Sequence, residues 1–131
     1  MNVLKYFGVL LIGCFTISSV IASDFDGSKA LICATVEARD CVANAACYGD
    51  HPKEVGAPSF MRINFAEKTI TGTERTTPIV TIEKSENQLL LQGSELGYGW
   101  IFAINQGTGD FSAALTNING TFLLFGACTL D

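Results

Sequence analysis

The sequence predicts a mainly β protein: an antiparallel meander of about seven strands, forming a curled sheet or small barrel, stapled by disulfides and preceded by a short N-terminal helix or strand. Three observations lead there. Beyond Pro58, apolar and polar residues alternate with the period of two expected of a strand with one wet face. Turn-forming clusters (SEN, GSELG, NQGTGD, NING) break that pattern roughly every ten residues. Hydrophobic residues make up 48% and charged residues 16%, with 13 Gly and 9 Phe, which is too apolar for a disordered chain. At 131 residues there is room for one ordinary domain, which excludes enzymes that pair a cofactor domain with a substrate domain.

The amino terminus, MNVLKYFGVLLIGCFTISSVIAS, reads as a secretory signal over residues 1–22. It has Lys5 as its only charge, an apolar stretch from Tyr6 to Ile17, and small residues at Ser18, Ser19, Ala22 and Ser23. The run falls short of the roughly 20 apolar residues of a spanning helix. Val20 and Ala22 have the small-residue spacing a signal peptidase accepts, so cleavage is expected after Ala22 or Ser23. That leaves 23–131 as a single β-rich domain with no stable transmembrane segment. The rival reading is a lipid anchor at Cys14, since Leu11, Ile12, Gly13 and Cys14 fit the box before a lipidated cysteine. Against it, the apolar pattern runs on past Cys14.

Of five cysteines, Cys14 leaves with the signal, and Cys33, Cys41, Cys47 and Cys128 remain. Four cysteines in a small exported domain read as two disulfides. A zinc or redox site would call for close CxxC pairs, which are absent. Direct pairing of Cys33 with Cys41 is awkward: their α carbons would lie about 12 Å apart in a helix or about 26 Å apart in a strand, against a limit near 7 Å. Of the two remaining schemes, Cys41 with Cys47 and Cys33 with Cys128 is favoured, because it closes a small loop over VANAA and ties the front of the domain to its last strand.

Taken in order, SKALICATVEARDCVANAAC (28–47) fits both a strand, through Ile32, Ala34, Val36 and Ala38, and a helical stripe, through Leu31, Ala34, Ala38 and Cys41. YGDHPKEVGAPS is a loop. The strands follow: FMRINF with Met61, Ile63 and Phe65 inward; KTITGTE around Ile70; PIVTIEK with Val80 and Ile82 inward; LLLQG from Leu89; GWIFAIN; FSAALT; and TFLLFGAC. In the last hairpin, Asn119 and Gly120 suit a two-residue turn with positive φ at both positions, which would set Leu115 opposite Leu124 and Phe111 opposite Cys128. One face then collects Phe111, Ala113, Leu115, Phe122, Leu124 and Cys128 as the core side. Leu123 and Phe125 fall on the other face and would need a cover, from the 28–47 segment or a second apolar layer. GWIFAIN, apolar on both faces, also suggests a sheet covered on both sides.

These residues resemble a group of small, uncharacterised exported proteins of Gram-negative bacteria. The shared pattern is a cysteine-bearing front, a PxF entry (Pro58, Phe60), RTTPI (Arg75 to Ile79), LQG followed by GW (Leu91 to Gly93, Gly99, Trp100), a TG turn (Thr108, Gly109) and a terminal FGAC (Phe125 to Cys128). The resemblance spans nearly the whole mature chain. It implies an exported β-rich protein and carries over no catalytic residues.

With 13 acidic residues against seven basic ones once Lys5 is removed from the eight, nucleic acid and anionic lipid surfaces are poor partners. His51 is the only histidine, and neither a GxSxG elbow nor a phosphate-binding glycine motif occurs. No cofactor and no metal are expected. Tyr98 and Trp100 are the candidate ligand contacts, since aromatic anchors often dominate contact surfaces. Arg62 and Arg75 could meet an acidic partner, although exposed arginines on strands are commonplace. The expectation is an exported, non-catalytic binding protein of the periplasm or cell envelope, or a secreted one, whose partner is a protein or a small apolar ligand. A carrier would need an apolar pocket beneath Trp100 and Phe102. An inhibitor of a hydrolase would present a rigid projecting turn such as 93–98, clamped by Cys41 and Cys47. A small hydrolase would gather His51 or paired carboxylates in a cleft.

Overall fold

A computed structural model describes residues 23–49 and 51–131, and in it the chain forms one antiparallel sheet of nine strands curled into a half-barrel. The expected signal segment and Cys14 lie outside the described residues. The strands are β1 (Leu31–Cys41), β2 (Phe60–Asn64), β3 (Thr69–Thr71), β4 (Thr76–Pro78), β5 (Thr81–Lys84), β6 (Gln88–Glu95), β7 (Tyr98–Asn105), β8 (Asp110–Asn117) and β9 (Gly120–Leu130). Their order across the sheet is β4-β3-β2-β1-β9-β8-β7-β6-β5. Two strands more than expected arise because Thr76–Pro78 forms a strand of its own, β4, ahead of β5 in PIVTIEK, and because the ambiguous front segment is itself a strand of 11 residues.

That front strand is neither short nor helical. β1 pairs with β9 from Leu31 opposite Leu130 to Cys41 opposite Thr121, and a bulge between Thr35 and Glu37 leaves Val36 as the extra residue. The bulge shifts the inward set from Leu31, Cys33 and Thr35 to Ala38. This slip of phase is what lets the run imitate a helical stripe. Gly126 lies under the bulge, where an added Cβ would collide with the Ala34 carbonyl oxygen and fall 2.7 Å from Phe111 Cε1. The disulfides join Cys33 to Cys128 across β1 and β9, and Cys41 to Cys47 across a loop with sequence separation 6.

The two edge strands, β4 and β5, are neighbours in sequence, so the sheet must curl far enough for Ile79 and Val80 to link them. Ile79 N–H donates to the Lys68 carbonyl (2.8 Å) and Val80 N–H to the Gln92 carbonyl (2.8 Å), stitching one side to the turn just before β3 and the other to β6. Regular pairing lapses there, and Ile79 (3% exposed) enters the core while Val80 (71%) does not, contrary to the alternation read from the sequence. Ile82 lies opposite buried Leu91 but stays partly exposed on its edge strand.

The last hairpin keeps the expected faces with a different register. Its two-residue turn is Ile118–Asn119, with Asn117 opposite Gly120, Ala113 opposite Leu124 and Phe111 opposite Gly126. A shift of two residues preserves which side chains share a face, so Phe111, Ala113, Leu124 and Cys128 are buried as expected. The Asn117 carboxamide accepts the Asn119 N–H (2.9 Å) and holds the chain in an Asx turn one step earlier. Gly120 serves a different purpose from the one expected: a Cβ there would lie 2.6 Å from the Cys41 carbonyl oxygen.

Nothing covers the outer face among the described residues. Phe125 and Ile101 are 41% and 40% exposed, and β1 lies beside β9 rather than over it. The double-sided burial read from GWIFAIN is therefore corrected to burial of Trp100, Phe102 and Ile104 alone. The inner face carries the core, where Leu31, Ile63, Leu89, Leu91, Ile104 and Leu124 are fully buried.

Candidate functional site

Strand length decides where the half-barrel is filled and where it is open. β1 and β9 have 11 residues, and β6, β7 and β8 have eight. β2 has five, and β3 and β4 only three. At about 3.3 Å per residue, β3 and β4 span roughly 10 Å beside neighbours several times longer. The register places the short strands toward the end of the barrel where β1 begins, since Leu31 faces Ile63 and Ala34 faces Phe60. The other half of that wall has no strand.

The chain's first described residues close the near end. Phe25 packs against the core, the Ser23 hydroxyl bonds the Gln106 carbonyl, and Asp131 N–H donates to the Ala30 carbonyl (3.0 Å). Buried Gln106 donates its side-chain amide to the Ser85 carbonyl (2.6 Å). Asp26, 3.5 Å from Lys84, has its carboxyl held below the ordinary value chiefly by hydrogen bonds from the Ser28 hydroxyl and backbone.

At the far end the missing strand length leaves a cavity of about 760 Å³ that opens to solvent. Met61, Ile70, Phe102, Ala113 and Leu124 lie along its walls with Trp100, Leu115 and Phe122. Its rim combines the 3₁₀ turn Pro52–Val55 and the loop after it, the β3–β4 turn, and the β6–β7 hairpin. Tyr98 and Trp100, the residues singled out from the sequence, both line it, and Tyr98 packs its ring 5.9 Å from that of Phe122. Phe102 stacks on Phe111 at 4.4 Å.

Gly93 positions Trp100. The two are cross-strand partners, and a Cβ on Gly93 would fall 2.6 Å from the indole Cε2 and 2.7 Å from the Pro78 carbonyl oxygen. The glycine of LQG is thus the seat of the tryptophan of GW. Lodged there, the indole Nε1 is buried without a hydrogen-bond partner among the described residues, as is Thr77 Oγ1, another residue of the cavity.

The rim holds Lys53, Glu74, Arg75 and Glu95, which sequence reasoning does not bring together. In the sequence Arg75 reads only as an exposed arginine, and Lys53 lies in a plain loop. No local pattern signals their meeting, because it depends on the curl of the sheet. Arg62 pairs with Asp131 away from the cavity.

His51 is exposed at the start of the 3₁₀ turn, where its carbonyl accepts the Glu54 N–H (3.0 Å). Among the described residues no group of three or more His, Cys, Asp or Glu side chains is placed to hold a metal. The β6–β7 turn is a tight two-residue connection in which Leu96 (φ 49°) and Gly97 (φ 82°) both take positive φ, and Leu96 is 69% exposed. No helix among the described residues is long and apolar enough to cross a membrane.

Fold and site together define a disulfide-stapled β half-barrel with an apolar interior open at one end. In comparisons with known proteins, no family model, curated protein or solved structure matches the chain.

Proposed function

We propose that this is an exported, non-catalytic binding protein of the periplasm or cell envelope, which carries a small apolar ligand in the cavity beside Trp100 and Phe102. The cavity itself carries the reading. Its volume, about 760 Å³, falls within the roughly 300–1,000 Å³ of small-molecule sites, and its walls are mostly aliphatic and aromatic with few polar groups. A folded domain of this size normally fills its interior, because empty apolar volume is destabilising. Two disulfides suit an oxidising compartment, in keeping with the resemblance to small exported proteins of Gram-negative bacteria.

Trp100 is the only tryptophan and stands in the cavity wall, so its emission reports occupancy directly. Titration with 11-bromoundecanol, whose bromine quenches indole at short range, is expected to give saturable quenching that unbrominated undecanol reverses. Purely linear quenching with no competition would refute the reading.

A further inference from the structure

We infer that the ligand of this cavity is a single-chain amphiphile with an anionic head, its tail inside and its head between Lys53 and Arg75. The inference rests on the reading of the cavity as a ligand site and adds the chemistry of what enters it. At a share of about 30 Å³ per small group, the volume of about 760 Å³ takes roughly 25 non-hydrogen atoms, enough for one medium-length chain and its head. The wall is apolar and the opening charged, so a wholly apolar molecule would leave the rim unused and a wholly polar one would leave the wall unused.

The sign of the head follows from how the basic residues are spent. Among the described residues, Lys29, Arg39, Arg62 and Lys84 each have a carboxylate within 4 Å: Asp24, Glu37, Asp131 and Asp26. Lys53, Lys68 and Arg75 have none among the described residues, and two of those three line this one cavity. In a chain with formal net charge -5 this is an uneven use of scarce cations. Glu74 and Glu95 share the rim. Carboxylates without a basic partner also occur elsewhere, as at Glu67 and Glu83, so their presence follows from composition and says nothing about the ligand. Arg75 offers a planar fork that binds a carboxylate or phosphate head in two-point fashion, and Lys53 adds a mobile point charge.

The test compares three tails of equal length by Trp100 quenching at pH 7 and low salt: 11-bromoundecanoate, 11-bromoundecanol and 11-bromoundecylammonium. The carboxylate is expected to bind about fivefold more tightly than the alcohol, the modest gain that solvent-exposed charges provide, and the ammonium least well. The preference should shrink at 0.5 M salt, where charges are screened within about 4 Å. The double variant Lys53→Gln, Arg75→Gln should lose it through weaker carboxylate binding; both side chains are exposed, and the urea midpoint confirms that the variant is folded. If the alcohol or the ammonium binds as well as the carboxylate, or if the preference survives in the double variant, the head-group assignment fails while the cavity stands. If none of the three quenches saturably, the cavity reading itself fails.

Discussion

Replacing Gly93 with alanine tests the link between the sheet and the cavity. The new methyl group would lie 2.6 Å from Trp100 Cε2 and 2.7 Å from the Pro78 carbonyl oxygen, where ordinary contacts begin near 3.4 Å. Neither neighbour is the loose end of a flexible side chain. One is an indole that is only 9% exposed, and the other is backbone at the point where the edge strands are joined. Overpacking typically costs about 1–3 kcal/mol, and with two stiff neighbours the upper end, about 3 kcal/mol, is expected.

Urea unfolding followed by Trp100 emission measures this directly. With a slope near 1.5 kcal/mol per molar, typical of a small domain, the midpoint should fall by about 2 M. The native emission should shift as well, because the displaced indole moves in the cavity wall, and 11-bromoundecanol should bind more weakly. Gly99→Ala is the control: that glycine lies in β7 next to Trp100, an added Cβ there would have nothing within 4 Å, and stability should change by less than about 0.5 kcal/mol. A Gly93→Ala protein as stable as the Gly99→Ala protein, with unaltered emission, would refute the seating of Trp100 on Gly93.

Gly126→Ala should cost at least as much, about 3 kcal/mol or more, since its Cβ would meet the Ala34 backbone and the Phe111 ring; a melting temperature within a few degrees of the parent would contradict this. Replacing both cysteines of the Cys33–Cys128 bridge by serine should cost more than replacing those of Cys41–Cys47. Loop-closure entropy alone gives about 4.7 kcal/mol for a separation of 95 residues and about 2.2 kcal/mol for 6, and calorimetry of the two variants decides the order. Asp26, whose folded pKa lies below its ordinary 3.8, favours the folded state at pH values above about 4, and that contribution fades as pH falls through the lower folded value. Amide exchange in residues 23–30 should therefore be faster in Asp26→Asn than in the parent at neutral pH, with the difference vanishing in strong acid.

Much of the sheet is legible in the sequence because its signals are local. Met61, Ile63, Ile70, Leu89, Leu91, Phe111, Ala113 and Leu124 alternate with outward residues and are buried as that alternation requires. Expectation and structure part where the period slips or a neighbour overrides it. The bulge at Val36 blurs strand and helix. The partner exchange at Ile79–Val80 reverses an inward assignment. At the last turn, Asn119-Gly120 carries the usual positive-φ signature, but Asn117 captures the turn and Gly120 is required by a carbonyl from β1, a strand some 80 residues earlier. In each case the deciding contact is one that propensity does not report.

The cavity illustrates the same division. Tyr98 and Trp100 can be picked out as residue types, yet what makes them line a cavity is a mismatch of strand lengths: three residues in β3 and β4 against 11 in β1 and β9. In a closed barrel of equal strands the same aromatics would face an opposite wall along their whole length. Here the opposite wall stops halfway, and the chain that could have completed it is spent on Pro52–Val55 and the Gly72–Arg75 turn. These two segments bring Lys53 and Arg75 to the opening. The shortfall that creates the apolar volume therefore also furnishes its charged rim, so tail and head recognition have one structural origin. Lengthening β3 and β4 by two residues each, with alternating Thr and Val, should raise stability while abolishing the quenching of Trp100 by brominated chains. A lengthened protein that still bound them would show that the cavity does not depend on the missing strand length.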